Sequence, residues 1–171
     1  EQEAVEYALG PAMMEPDFRI NSNEKGFCNH HFDAMFHSEK KLPLALILDT
    51  HLDEVLKKLD NFSALKENLK SEKKGLFKKS TTTDKIAPLK DMCQNLQKTC
   101  VVCEKIEYTM ARYIDTLLYM WATDNEFKIK FDNSKGVCMK HFTMLLDRAT
   151  EELKDNDARA FVSNLIDKEE K

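Results

Sequence analysis

Apolar residues return every three or four positions along most of the chain, the spacing of one buried helix face. Ala4, Val5, Ala8, Leu9 and Ala12 set a first amphipathic helix over about Gln2 to Met14, which Gly10-Pro11 kinks or splits. Pro16-Asp17 is expected to end it, leaving Phe18-Arg-Ile20 as a short bridge and Asn21 to Gly26 as a loop. Met35 and Phe36 continue an apolar stripe along a short helix after Cys28. Leu48, Leu52, Val55, Leu59, Phe62, Leu65 and Leu69 then mark one long helix, with a coiled-coil dimer as the lesser reading. Ser71 to Asp84 is polar and rich in Lys and Thr, which predicts a linker. Pro88 is expected to open the second half. Leu89, Met92, Cys93 and Leu96 mark a helix, and Val102, Ile106, Met110, Tyr113, Ile114, Leu117, Leu118 and Trp121 mark the longest clean stripe. Phe127-Lys-Ile129-Lys-Phe131 alternates as a strand would, but no partner strand is apparent, so an extended or short helical connection is preferred. Helices from near Cys138 and over Ala158 to Asp167, the latter after a capping turn at Asp155 to Asp157, complete an all-α chain.

Composition agrees with that pattern. Four Gly and four Pro in 171 residues leave little material for a turn-rich β fold. A net charge of −4 and a pI near 5.8 give no general reason to expect nucleic acid or an anionic membrane. No apolar run approaches the roughly 20 residues of a membrane span, and no signal peptide is visible, so a cytoplasmic protein is expected. The chain opens at Glu1 without Met and ends at Glu-Glu-Lys without a stop signal, so further residues are expected beyond both ends.

The cysteines change the picture. Cys100-Val-Val-Cys103 and Cys138-Met-Lys-His141 each offer two soft donors three residues apart, and 34 residues lie between the pairs. Four such donors suit one tetrahedral Zn²⁺, and helix starts beside them favour thiolate over thiol. Cys100, Cys103, Cys138 and His141 are therefore expected to form a structural Cys₃His site. The competing readings are buried apolar cysteines or a redox pair at Cys100 and Cys103. A thioredoxin-like dithiol needs a βαβ context that is missing here. Five cysteines, an odd number, point to a reducing compartment and not to a disulfide framework.

Gly26-Phe-Cys28-Asn-His-His31-Phe32 lines up with Gly136-Val-Cys138-Met-Lys-His141-Phe142 at an offset of 110, with Asn23 and Lys25 opposite Asn133 and Lys135. Phe18 and Ile20 match Phe127 and Ile129 after a one-residue insertion. An internal duplication follows. It divides the chain into a first helical repeat at 1–70, a linker at 71–87 and a second repeat at 88–171. Projected back by the same offset, the first repeat's Cys pair falls before residue 1. Cys28 and His31 are thus expected to be half of a second site, left empty or completed by His30, His37 or another molecule. His51 reads as a packed or hydrogen-bonded core histidine, Cys93 as a small buried hydrophobe, and the eight methionines mostly as core fillers.

Residues 57–90 hold ten Lys against four acidic residues, enough to suggest weak binding of nucleic acid or an acidic partner, although a solvated face and loop explains them as well. No nucleophile with an attendant base, Gly-rich phosphate loop or His-Glu zincin helix is present.

Cys-Val-Val-Cys with Glu-Lys-Ile-Glu-Tyr-Thr-Met-Ala-Arg-Tyr-Ile, Gly-Val-Cys-Met-Lys-His-Phe, Met-Glu-Pro-Asp-Phe-Arg-Ile and Gly-Phe-Cys-Asn-His-His-Phe together resemble a bacterial domain family of unknown function. Its members often carry the loose title of ABC transporter substrate-binding protein. The resemblance covers most of the chain and implies a twofold Cys-Pro-x-Cys … Gly-x-Cys-x-x-His-Phe pattern. Val101 stands where that pattern has Pro, and the N-terminal Cys pair is absent. No lipobox, export signal or two-lobe α/β pattern accompanies the transporter title. The expected function is a zinc-stabilised scaffold or interaction module with an unidentified protein partner. Thiol redox chemistry at Cys100 and Cys103, and binding through the Lys-rich stretch, are the alternatives.

Overall fold

The computed structural model describes residues 1–60, 62–70 and 82–169, and among these residues it contains helices and no strand. They divide into two compact units, Glu1–Ile106 and Glu107–Lys171. Residues 88–106, expected with the second repeat, pack in the first unit.

In the first unit, α1 (Gln2–Ala8) ends before Gly10, and Pro11 to Met14 form a single 3₁₀ turn, as the Gly-Pro pair demands. Pro16 does not terminate structure here. It occupies the first turn of α2 (Pro16–Lys25), where its missing N–H would have had no helical partner. The expected bridge and loop at 18–26 are consequently helical up to Gly26. That glycine ends α2 at φ 65°, a conformation open to Gly at little cost.

Helix α3 (Asn29–His37) starts immediately after Cys28, and α4 (Lys41–Asp60) packs against α2. Arg19 fastens that pairing by donating from Nη2 to the Leu46 carbonyl at 3.0 Å and to Thr50 Oγ1 at 2.8 Å. Thr50 in turn donates to Asn23 Oδ1 at 2.7 Å. The single long helix expected from Leu48 to Leu69 is divided, since α4 stops at Asp60 and α5 (Ser63–Lys70) begins after it.

The linker proposed for 71–87 lies outside the described residues at 71–81. From Thr82 onward the chain is already α6 (Thr82–Lys98), so Pro88 lies inside a helix instead of opening one. Cys93, expected to be buried, is exposed on that helix. The core of this unit gathers Val5, Ala8, Leu9, Met35, Leu44, Ile47, Cys100, Val101 and Val102. Helix α7 (Val101–Thr123) begins within it and crosses the boundary between Ile106 and Glu107.

The second unit takes the rest of α7 with α8 (Asn125–Asp132), α9 (Met139–Glu152) and α10 (Asp155–Glu169). The alternating segment at 127–131 is the helix α8, because Asp124 caps it: its carboxylate accepts from the backbone N–H of Glu126 at 2.9 Å and of Phe127 at 3.1 Å. Phe161 is wholly buried, T-shaped to Trp121 and stacked on Phe131. Arg148 on α9 donates from Nε and Nη2 to Asp115 Oδ1 on α7 at 2.9 and 2.7 Å. Among the described residues no helix is long and apolar enough to cross a membrane.

Candidate metal centre

Two helix starts in the first unit face one another. Cys28 is the N-cap of α3 in extended backbone, φ −70° and ψ 160°, and His31 lies in the first turn that follows. Cys100 immediately precedes α7, and Cys103 lies in its first turn. Spacing of i and i+3 across a helix start turns both side chains of each pair to one side, beside N–H groups that have no partner within the helix.

The backbone holds these starts together by a short set of contacts. The Val101 N–H donates to the Gly26 carbonyl at 3.1 Å. Thr99 Oγ1 donates to the Lys25 carbonyl at 2.7 Å, and Lys25 Nζ pairs with Glu104 at 2.6 Å. Gly26 cannot readily be another residue. A Cβ there would lie 2.7 Å from the His51 ring, in addition to the cost of positive φ. His51 is itself fixed, with Nδ1 donating to the Asn23 carbonyl at 2.9 Å, the bonded role its sequence position suggested.

The close group of possible ligands differs from the expected one. Cys100 and Cys103 are joined by Cys28 and His31, and the possible ligand atoms of these four residues all lie within 4.8 Å of one another. His31 Nδ1 stands 3.3 Å from Cys28 Sγ, 3.4 Å from Cys100 Sγ and 3.2 Å from Cys103 Sγ. Cys28 and Cys103 are 3.8 Å apart, sulfur to sulfur. A tetrahedron with Zn–S near 2.3 Å and Zn–N near 2.0 Å has edges of about 3.8 Å between sulfurs and about 3.5 Å from sulfur to nitrogen. The measured separations fit that figure closely enough to need only small side-chain adjustments.

Cys138 and His141 belong to the second unit. Their Sγ and Nδ1 are 3.3 Å apart, and no third Cys, His, Asp or Glu joins them in a ligand group among the described residues. The physical reason for this grouping lies in the first unit's core. Val101 and Val102 are buried with Met35 and Ile47, which brings the start of α7 to the start of α3. The sequence contained this partner pair, but nothing local ranks one Gly-x-Cys-x-x-His-Phe element above the other. The offered substitutes are not used: His37 Nδ1 bonds the Asp33 carbonyl at 2.9 Å, and His30 contacts the Glu1 carboxylate. Glu1, His30 and His31 make a second close group that shares His31 with the first.

The environment suits soft-metal ligation. Burial pushes the Cys28 thiol up, yet the N–H groups of His31 and His30 and the neighbouring thiols more than offset it, leaving Cys28 below its ordinary value. Burial, then the neighbouring Cys100 and Cys28, pushes Cys103 up to about 12. His31, only 4% exposed, is held neutral chiefly by burial, the form in which an imidazole donates its lone pair. Its Nδ1 faces the three sulfurs, while its buried Nε2 makes no hydrogen bond and lies 3.6 Å from the Glu1 carboxylate. All five cysteines are free thiols.

Of the Lys-rich stretch, residues 71–81 fall outside the described part. Lys57 pairs with Glu54 at 2.6 Å, and Lys58 reaches the Glu24 carbonyl at 3.4 Å.

Fold and site together define an all-α protein with a Cys₃His group able to hold a metal ion. The chain belongs to the family of unknown function DUF6062, which it matches over residues 1–171. No curated protein and no solved structure matches the chain.

Proposed function

We propose that this protein is a zinc-stapled helical scaffold, a cytoplasmic interaction module in which the ion holds the starts of α3 and α7 together. The observation that carries this reading is the near-tetrahedral set of separations among Cys28, His31, Cys100 and Cys103. Four protein ligands leave no open position for water or substrate, so the ion is structural and not catalytic. The odd number of cysteines suits a reducing compartment. An interaction role is supported by α4, where Leu42, Leu46, Leu52, Leu56 and Leu59 are all exposed on a helix of this unit. Leucines outside the core in that number suit burial against a partner protein.

The test is metal content of the purified chain, by elemental analysis, with Cys100→Ser beside it. The parent is expected to carry zinc. Cys100→Ser is expected to lose affinity for that ion by more than the roughly 10- to 100-fold that loss of an outer-shell partner costs. Stoichiometric iron with thiolate-to-iron absorption would replace zinc in this reading. A metal-free protein that cycles between dithiol and disulfide at Cys100 and Cys103 would defeat it in favour of redox chemistry.

A further inference from the structure

The first unit leaves Cys138 and His141 without an assigned task, although their local geometry matches that of the assembled ligands. Cys138 is the N-cap of α9 at φ −69° and ψ 155°, against −70° and 160° for Cys28 before α3. The Sγ to Nδ1 separation is 3.3 Å in both pairs. The difference is access. Cys138 is exposed and His141 half-buried, whereas Cys28 is half-buried and His31 buried. Nor do neighbouring donors close the pair, since no third ligand-type residue groups with it among the described residues.

We infer that Cys138 and His141 are a ready-made half of a second site for a thiophilic divalent cation, completed by two donors from another polypeptide segment. Two ligands already in bidentate register reduce the ordering that a cation must impose, but tetrahedral closure still needs two more. Two segments can supply them. The Cys138–His141 pair of a second copy gives Cys₂His₂ about a twofold axis, and a Cys-x-x-Cys knuckle gives Cys₃His. The inference rests on the metal reading of the first unit, because that unit shows what the same motif does when donors reach it.

The experiment titrates the metal-free 171-residue chain with Co²⁺, following thiolate-to-cobalt absorption and solution mass. One arm uses the chain alone. The other adds excess synthetic peptide Lys98–Lys105, which carries Cys100 and Cys103 as a free knuckle. Cobalt beyond the first equivalent is expected in at least one arm; Cys138→Ser is expected to lose that second portion, and Cys100→Ser to keep it while losing the first. Doubled mass without peptide identifies a second copy as the source, and peptide capture at monomer mass identifies a knuckle. Identical titrations of Cys138→Ser and the parent chain in both arms would overturn the inference. Failure of the first-site reading looks different, since Cys100→Ser would then bind as much cobalt as its parent.

Discussion

Cys103 shows how a single side chain couples metal affinity to pH. Burial and two adjacent thiols raise it to about 12, so it carries a proton throughout the neutral range, and an arriving cation must displace that proton. Affinity should therefore rise with pH and fall with acid, by about tenfold per pH unit for each proton released. Competition titrations with a chromophoric chelator between about pH 6 and 8 measure that slope, and a pH-independent affinity would contradict it. Gly26 makes a second residue-scale case. Its φ is 65°, and a Cβ added there would stand 2.7 Å from the His51 ring, so Gly26→Ala should destabilise the first unit. The expected loss is about 1–3 kcal/mol in denaturant melts. Gly136 holds the matching place in sequence without positive φ, so Gly136→Ala should cost much less. The shared glycine was legible in the sequence, but its use in only one of the two motifs was not, because φ is set by what packs around it.

Among the elements, caps and breakers account for most departures from the periodicity reading. Pro16 looked like an end and proved to be a beginning, since a helix's first turn tolerates a residue without N–H. The alternation of Phe127, Ile129 and Phe131 fits a strand by period, yet the Asp124 cap and the absence of any strand beside it among the described residues make α8. Asp124→Ala removes the acceptor for two backbone N–H groups and should cost about 0.5–2 kcal/mol. Because Phe131 of α8 stacks on Phe161, that loss should lower the melting temperature of the second unit, read through the chain's single Trp, Trp121, in the same core. Unchanged thermal unfolding by Trp fluorescence would show that the cap contributes nothing. Long stripes, as in α7 and α9, were legible because a buried face repeats over several turns. Short helices such as α2 and α8 carry too few turns for period alone to decide.

At the scale of the whole molecule, each unit has its own apolar core and, among the described residues, only the first contains the assembled Cys₃His group. Chelation should accordingly loosen the first unit, seen as lost ellipticity or a lowered calorimetric transition. Trp121 fluorescence, which reports the second core, should stay unchanged. A parallel change in both signals would contradict independent cores. The amino-acid sequence by itself determined the helical class, the donor types and the pairing of donors at i and i+3, because each follows from local spacing and side-chain chemistry. Only the tertiary structure decided which pair meets Cys100 and Cys103. The two motifs share their Gly, Cys, His and Phe and offer the same donors, and the choice between them falls to the distant core that gathers Val101 and Val102 with Met35 and Ile47.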